Sequence, residues 1–213
     1  MMNAPENSDI KFVSHGENKG LFWTRITGSL EAKGMYIAFL DSDDFVSKDF
    51  YRTLISKAVI EDLDIVAGKT IFRKSDGTEY IRNLNEIGFG TETIRGHNVK
   101  KRFFEQAGSC FVWHTIWNKI YRKSLWDACV PFYKKMSLNT IMTEDVAFSS
   151  LLFYNAESFA YVPNEGIRYC DNKGSSTDSL GISLEKFLKN VRDMTNVFDF
   201  VQDYLSGVGA DKK

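Results

Sequence analysis

Met35-Tyr36-Ile37-Ala38-Phe39-Leu40-Asp41-Ser42-Asp43-Asp44 is a short apolar run that stops abruptly in three carboxylates. The apolar residues predict a buried strand over 35–40, and the acids gather where it ends. Carboxylates packed this closely repel by roughly 1 kcal/mol per pair in water and about 4 kcal/mol near a protein surface, so the cluster favours a cation. A hard divalent ion such as magnesium or manganese takes oxygen ligands and keeps positions open for phosphate. Open α/β sheets bind ligands beyond the carboxyl ends of their strands, which is where these acids fall. The tetrapeptide also suits an acidic turn before a helix, with Ser47 as N-cap and Asp49 in the first turn. Both interpretations are open at this point.

Upstream, 9–14 is expected to form a short strand, followed by a polar loop to Gly20 and a helix over 21–33 closing at Gly34. Downstream, Phe50, Leu54, Ile55 and Ala58 recur at helical spacing, and 64–72 is a β-branched strand that turns at Ser75-Asp76-Gly77. This alternation predicts an α/β fold with a doubly wound, Rossmann-like parallel sheet. The rest is less regular: a helix near 99–104, an aromatic-rich stretch over 111–126, a helix over 146–154, and strands over 159–162 and 166–170 joined at Pro163-Asn164. A long apolar stripe from Leu184 to Leu205 predicts a C-terminal helix that packs on this domain or on a partner, including a second copy.

Composition excludes several functions. The chain has 213 residues, 43% hydrophobic and 26% charged, with a net charge of -1, as in one ordinary globular domain without the basic excess of a nucleic-acid binder. Cys110, Cys129 and Cys170 form no CxxC pair and fit a reducing cytoplasm, and His15, His97 and His114 share no metal-ligand spacing. No apolar run approaches the roughly 18 residues that suggest a membrane span.

Asn18-Lys19-Gly20-Leu21-Phe22-Trp23-Thr24-Arg25-Ile26-Thr27-Gly28, the strand with its Asp41-Ser42-Asp43-Asp44 turn, Trp117-Asn118-Lys119-Ile120-Tyr121-Arg122 and Thr143-Glu144-Asp145-Val146-Ala147-Phe148 occur in that order. Together they resemble the inverting family 2 glycosyltransferases of the GT-A fold, over about 9–177. The resemblance implies a metal-assisted transfer of a sugar from a nucleotide-sugar donor to a glycan acceptor, most often in surface polysaccharide synthesis. The expected location is the cytoplasm, at most peripheral to the inner membrane face. It implies a single domain, with a donor and metal side over 9–75, an irregular acceptor side over 76–178, and a C-terminal helix and tail over 179–213. A full enzyme of this type opens with a nucleoside-binding βαβ half, which needs about 30 residues. Because few residues precede the first expected strand, a partial GT-A sheet is expected.

The same resemblance implies individual roles. Asp41 and Asp43 face the donor diphosphate and a magnesium or manganese ion, Asp43 being the firmer ligand, with Asp44 beside them on the donor side or capping the turn. Arg25 reaches toward the donor phosphates. Asp145, at a helix N-terminus, is the base that deprotonates the acceptor, and Glu144 orients the acceptor or its loop. Trp113, Trp117 and Tyr121 lie four apart; such a stripe suits core packing or sugar stacking, with Asn118 and Lys119 offering polar groups to hydroxyls. Phe22, Ile26 and Cys170 depart from the family pattern, and Ser175 matches it. The competing functions are a non-catalytic carbohydrate-binding or scaffolding module and, more remotely, a haloacid-dehalogenase-type phosphohydrolase, which Phe45 disfavours.

Overall fold

The computed structural model describes residues 10–81, 89–136, 143–171 and 183–209, with only the backbone of Glu165. Its centre is β3 (Ile65–Arg73), buried at six of nine positions and continuously over its first four, as a strand covered on both faces requires. Alternate residues serve different cores: Ile65 and Ala67 join a large aromatic cluster, whereas Val66 faces a smaller one. The sheet runs β1 (Tyr36–Ala38), β6 (Lys119–Arg122), β3, β7 (Ser158–Cys170), β2 (Phe45–Val46), with β4 (Glu79–Tyr80) on β3 and β5 (Ile94–Arg95) on β7.

The strand pairs make this a mixed sheet. β3 and β7 are parallel, while β6 runs antiparallel to both β1 and β3. Thus β1, β3 and β7 share a direction, as the alternating pattern predicts, with a reversed strand inserted between the first two. The two strands expected over 159–170 are one, because the register steps from Gly68↔Val162 to Lys69↔Gly166 and three residues beginning at Pro163 bulge out. Proline lacks the N–H that a ladder needs, so its place is such a bulge. Residues 10–14, expected as a strand, carry none.

Helix α2 (Phe50–Ile60) covers the small core through Phe50, Leu54 and Ala58. Helices α1 (Gly20–Glu31), α3 (His97–Gln106), α4 (Lys123–Tyr133), α5 (Glu144–Asn155) and α6 (Leu184–Gly207) contribute to the large one. Ser47 does not cap α2 with its side chain. That helix begins after Asp49 without a side-chain cap, and the Ser47 hydroxyl accepts from the Gly166 N–H at 3.4 Å.

Packing of α2 on β3 is tight enough to require glycine at position 68. A Cβ there would stand 2.3 Å from Phe50 Cε2. Gly68→Ala is expected to cost about 1–3 kcal/mol, as overpacking generally does. A thermal melt lowered by roughly 2–4 °C per kcal/mol would show it; an unchanged melt would mean the ring has room to move.

Candidate active site

The acidic turn after β1 meets the start of α5 on one guanidinium. Arg25, on α1, has a side chain only 5% exposed. Its Nη1 donates to Asp145 Oδ1 at 2.6 Å and Glu144 Oε1 at 3.0 Å, and its Nη2 donates to Asp41 Oδ1 and Oδ2 at 3.1 and 3.3 Å. The planar fork of arginine can serve several carboxylates in fixed directions, which a lysine cannot. Arg25, expected on the donor side, bridges the two acidic motifs, with its Nη groups engaged within the protein.

Three carboxylates around one cation leave an excess of negative charge. Burial first, then the charge of Asp145, pushes Glu144 up to about 7 against the pull of Arg25. Burial likewise raises Asp145, while Arg25 and a hydrogen bond from the Ile116 N–H act the other way. The turn into α5 is strained as well. Thr143 has φ +65°, a conformation β-branched residues rarely adopt, immediately before the acidic pair.

The linkage sign follows from the direction of the Glu144 shift. A carboxyl that binds its proton more tightly when folded contributes stability fully present below its ordinary 4.5 and lost as pH rises through about 7. Glu144→Gln is expected to flatten the fall in melting temperature across that window. The comparison is made with wild type at each pH, so that Asp44 and His114 cancel. Parallel curves for the two proteins would contradict it.

Asp43 is exposed at the tip of the turn. Asp44 turns inward, where its Oδ1 accepts the Cys170 N–H at 2.9 Å and ties the turn to the end of β7. Burial pushes it up to about 6, and its Oδ2 is buried without a hydrogen-bond partner. Asp44 is thus a tie within the turn, its anchored oxygen unavailable to a donor.

The aromatic stretch folds differently from a helix. Trp113 lies in a 3-10 turn (Phe111–Trp113), Trp117 in the loop before β6, and Tyr121 in β6. Trp113 and Tyr121 are wholly buried, and Trp117 stacks on Tyr169 at 5.1 Å between ring centres. Asn118 is also wholly buried: its Oδ1 accepts from Thr115 Oγ1 at 2.9 Å and from Lys119 Nζ at 2.8 Å, and its amide donates to Thr70 Oγ1 at 3.3 Å. Trp113 and Asn118 therefore offer an acceptor no surface, which corrects their expected sugar-binding roles. Glu144 stands beside Asp145, as the acidic pair predicts, but is 7% exposed. His114 is packed, its ring nitrogens meeting Ser149 Oγ and the Ala107 carbonyl. Ser175 lies outside the described residues.

Lys119 has a different role from the one its polarity suggests. It is wholly buried, and its Nζ donates to the Val112 and Thr115 carbonyls and to Asn118 Oδ1. Burial pulls its ammonium down to about 7, against the attraction of Asp145. The lysine pins the loop whose Ile116 N–H reaches Asp145. The Trp-Asn-Lys motif marks the position, but nothing local in the sequence signals a buried ammonium, which is rare unless its donors are satisfied.

The donor set suits a hard cation at the turn. Asp43 presents a carboxylate to solvent, and each Asp41 oxygen, although it accepts from Arg25, keeps a further lone pair. Among the described residues, no group of three or more acids, histidines or cysteines is arranged to hold a metal by itself. Two carboxylates, with phosphate and water completing the shell, match the habits of magnesium.

The sequence profile of Glycosyl transferase family 2 matches residues 2–125, more than half of the 213. The chain belongs to glycosyl transferase family 2. Among this family's members, it is 27% identical over 147 residues to EpsJ, an uncharacterized glycosyltransferase of Bacillus subtilis (strain 168), covering 69% of this chain and 39% of EpsJ. It is also 27% identical over 154 residues to the glycosyltransferase GlyA of Streptococcus pneumoniae serotype 4, covering 70% of this chain and 22% of GlyA. This family 2 chain thus spans well under half of the length of either relative. Its fold is similar to that of S. aureus TarS 1-349 in complex with UDP-GlcNAc, with a TM-score of 0.53 at 16% identity, covering 88% of this chain and 54% of that one. Among the described residues, no helix is long and apolar enough to cross a membrane.

Proposed function

We propose that this domain transfers a sugar from a nucleotide-sugar donor to a hydroxyl of a glycan acceptor, with inversion and with the help of a divalent cation, in surface polysaccharide synthesis. The observation that carries this reading is the single guanidinium shared by Asp41 and Asp145. It brings Asp41, at the strand end, and the proposed base onto one cation, which suits a reaction with a leaving group on one side and a nucleophile on the other.

In the proposed reaction the anomeric C–O bond to the diphosphate breaks, a bond to the acceptor oxygen forms on the opposite face, and the acceptor proton passes to an Asp145 oxygen. Asp145 is suited to this because burial raises its proton affinity while Arg25 and the Ile116 N–H keep it oriented. Asp43 and Asp41 would hold the cation, which when bound stabilises negative charge on the departing diphosphate as a Lewis acid. Arg25 keeps Asp41 and Asp145 at a fixed separation. Glu144 shares its proton demand with Asp145 and adjusts the charge of the site.

Titration calorimetry with uridine diphosphate and manganese tests the reading, and TarS, crystallised with UDP-GlcNAc, makes that base the first choice. Binding is expected to require the metal, and Asp43→Ala is expected to abolish that metal-dependent binding with an unchanged melting curve. Guanosine and thymidine diphosphates extend the panel. Binding of glycan without any nucleotide would favour the non-catalytic carbohydrate-binding alternative.

A further inference from the structure

We propose that Arg73 and Arg168, gathered on Phe45 beside the acidic turn, bind an oxyanion of the acceptor, a phosphate or a carboxylate carried by the glycan, in the transfer reaction put forward above, on which this assignment rests. Strand pairing puts the residues on one face of the sheet. Phe45 of β2 stands opposite Arg168 of β7, and Arg73 of β3 stands opposite both Cys170 of β7 and Glu79 of β4. Arg168 and Cys170, two apart on one strand, point the same way. The guanidinium carbons of Arg73 and Arg168 lie 5.3 and 5.6 Å from the centre of the Phe45 ring, which is 40% exposed. The attraction of each cation for the ring holds both guanidiniums in place before a ligand arrives.

Their charge is only half answered. Arg168 donates from Nε to Glu79 Oε1 at 3.0 Å, and Arg73 Nη1 stands 3.6 Å from the same oxygen, so two cations share one carboxylate. Among the described residues no other acid pairs with either arginine, which leaves both Nη groups of Arg168 and Nη2 of Arg73 open. Both side chains are partly exposed, Arg73 more than Arg168. A planar fork with spare N–H groups matches the paired oxygens of a carboxylate or a phosphate.

Position ties the pair to the reaction. Phe45 directly follows Asp44, and Asp44 Oδ1 accepts the N–H of Cys170, the residue opposite Arg73. Asp41 and Phe45 are four residues apart, a span of at most about 14 Å. Their strands, β1 and β2, close the main strand order at opposite ends. The turn therefore leads from Arg25, where Asp145 is held, to the arginine pair. A glycan whose reacting hydroxyl lies at Asp145 can pass over the turn and set an anionic neighbouring unit against the two guanidiniums. The donor diphosphate already has a positive partner in the cation proposed on Asp41 and Asp43, so the arginine pair is a second, separate place for negative charge.

NMR titration of the chain, without nucleotide or metal, against glycerol 3-phosphate, glucuronate and glucose reads the Nε–H signals of Arg73 and Arg168. Both anions are expected to shift these signals and to bind at least about tenfold more tightly than glucose. Arg73→Gln with Arg168→Gln is expected to weaken anion binding by more than about tenfold, with an unchanged melting curve. Glu79→Gln, which releases both guanidiniums, is expected to tighten it by about threefold or more, a gain that damage to the fold does not produce. Anions that bind no better than glucose, or that bind the double variant as well as the wild type, overturn the subsite. Calorimetry of the double variant with uridine diphosphate and manganese separates the two sources of oxyanion. An affinity within about twofold of wild type is expected, and a loss of about tenfold assigns the arginines to the donor diphosphate and overturns the acceptor role. The NMR titration needs neither donor nor turnover, so its failure is distinct from a failure of sugar transfer.

Discussion

Asp145→Asn is expected to lower sugar transfer by about two to four orders of magnitude, the usual contribution of a positioned general base. The amide keeps the shape of the carboxylate and its oxygen can still accept from Arg25, so the melting temperature should change little. What it cannot do is take the acceptor proton. In the wild type the site raises the proton affinity of Asp145 by burial, and Arg25 opposes that effect without cancelling it. A carboxyl in this balance is a better base than a solvated aspartate. Glu144→Gln serves as the control. Its side chain shares Arg25 Nη1 with Asp145, and its loss should alter the pH profile more than the maximal rate. Initial rates of nucleoside diphosphate release with saturating donor decide the matter. A rate within about fivefold of wild type for Asp145→Asn is too small an effect for the base and would move the role elsewhere.

The second large effect is on folding. Arg25→Met leaves Asp41, Glu144 and Asp145 without their shared cation in a nearly closed space. Removing one partner of a buried ion pair typically costs about 3–5 kcal/mol because the remaining charge is uncompensated. That is a sizeable share of the roughly 5–15 kcal/mol by which a domain is stable. At about 2–4 °C per kcal/mol for a chain of this size, the melt should fall by roughly 6–20 °C near neutral pH. The deficit should shrink toward pH 5, because protonated carboxyls no longer repel one another. Arg25→Lys should recover only part of the loss, since one ammonium cannot reproduce four directed contacts to three carboxylates. Melts of the three proteins at pH 5 and pH 8 test this; a deficit that does not depend on pH would mean that the arginine acts through packing.

Much of the architecture was legible because its signals are local. The β-branched run at 64–72, the apolar spacing of Phe50, Leu54 and Ala58, and the acidic pair before an apolar helix each depend on a few adjacent residues. Misreadings arose where a local pattern fits two structures. Trp113, Trp117 and Tyr121 are four apart, which suits a helical face, yet their backbone forms a 3-10 turn, a loop and a strand. Strand pairing was equally hidden. β6 is inserted between β1 and β3 although it follows them by more than forty residues, and no periodicity records which edge it joins.

By itself, the sequence determined that three carboxylates end an apolar strand, that a Glu-Asp pair opens a later helix, and that an apolar stripe runs the length of the last one. Only the tertiary structure decided what those groups face. Arg25 is 16, 119 and 120 residues from the acids it joins. Desolvation and Coulomb attraction act through space, so the proton affinities of Glu144 and Asp145, and with them the chemistry proposed for the cleft, come into being only when α1, β1 and α5 are brought together.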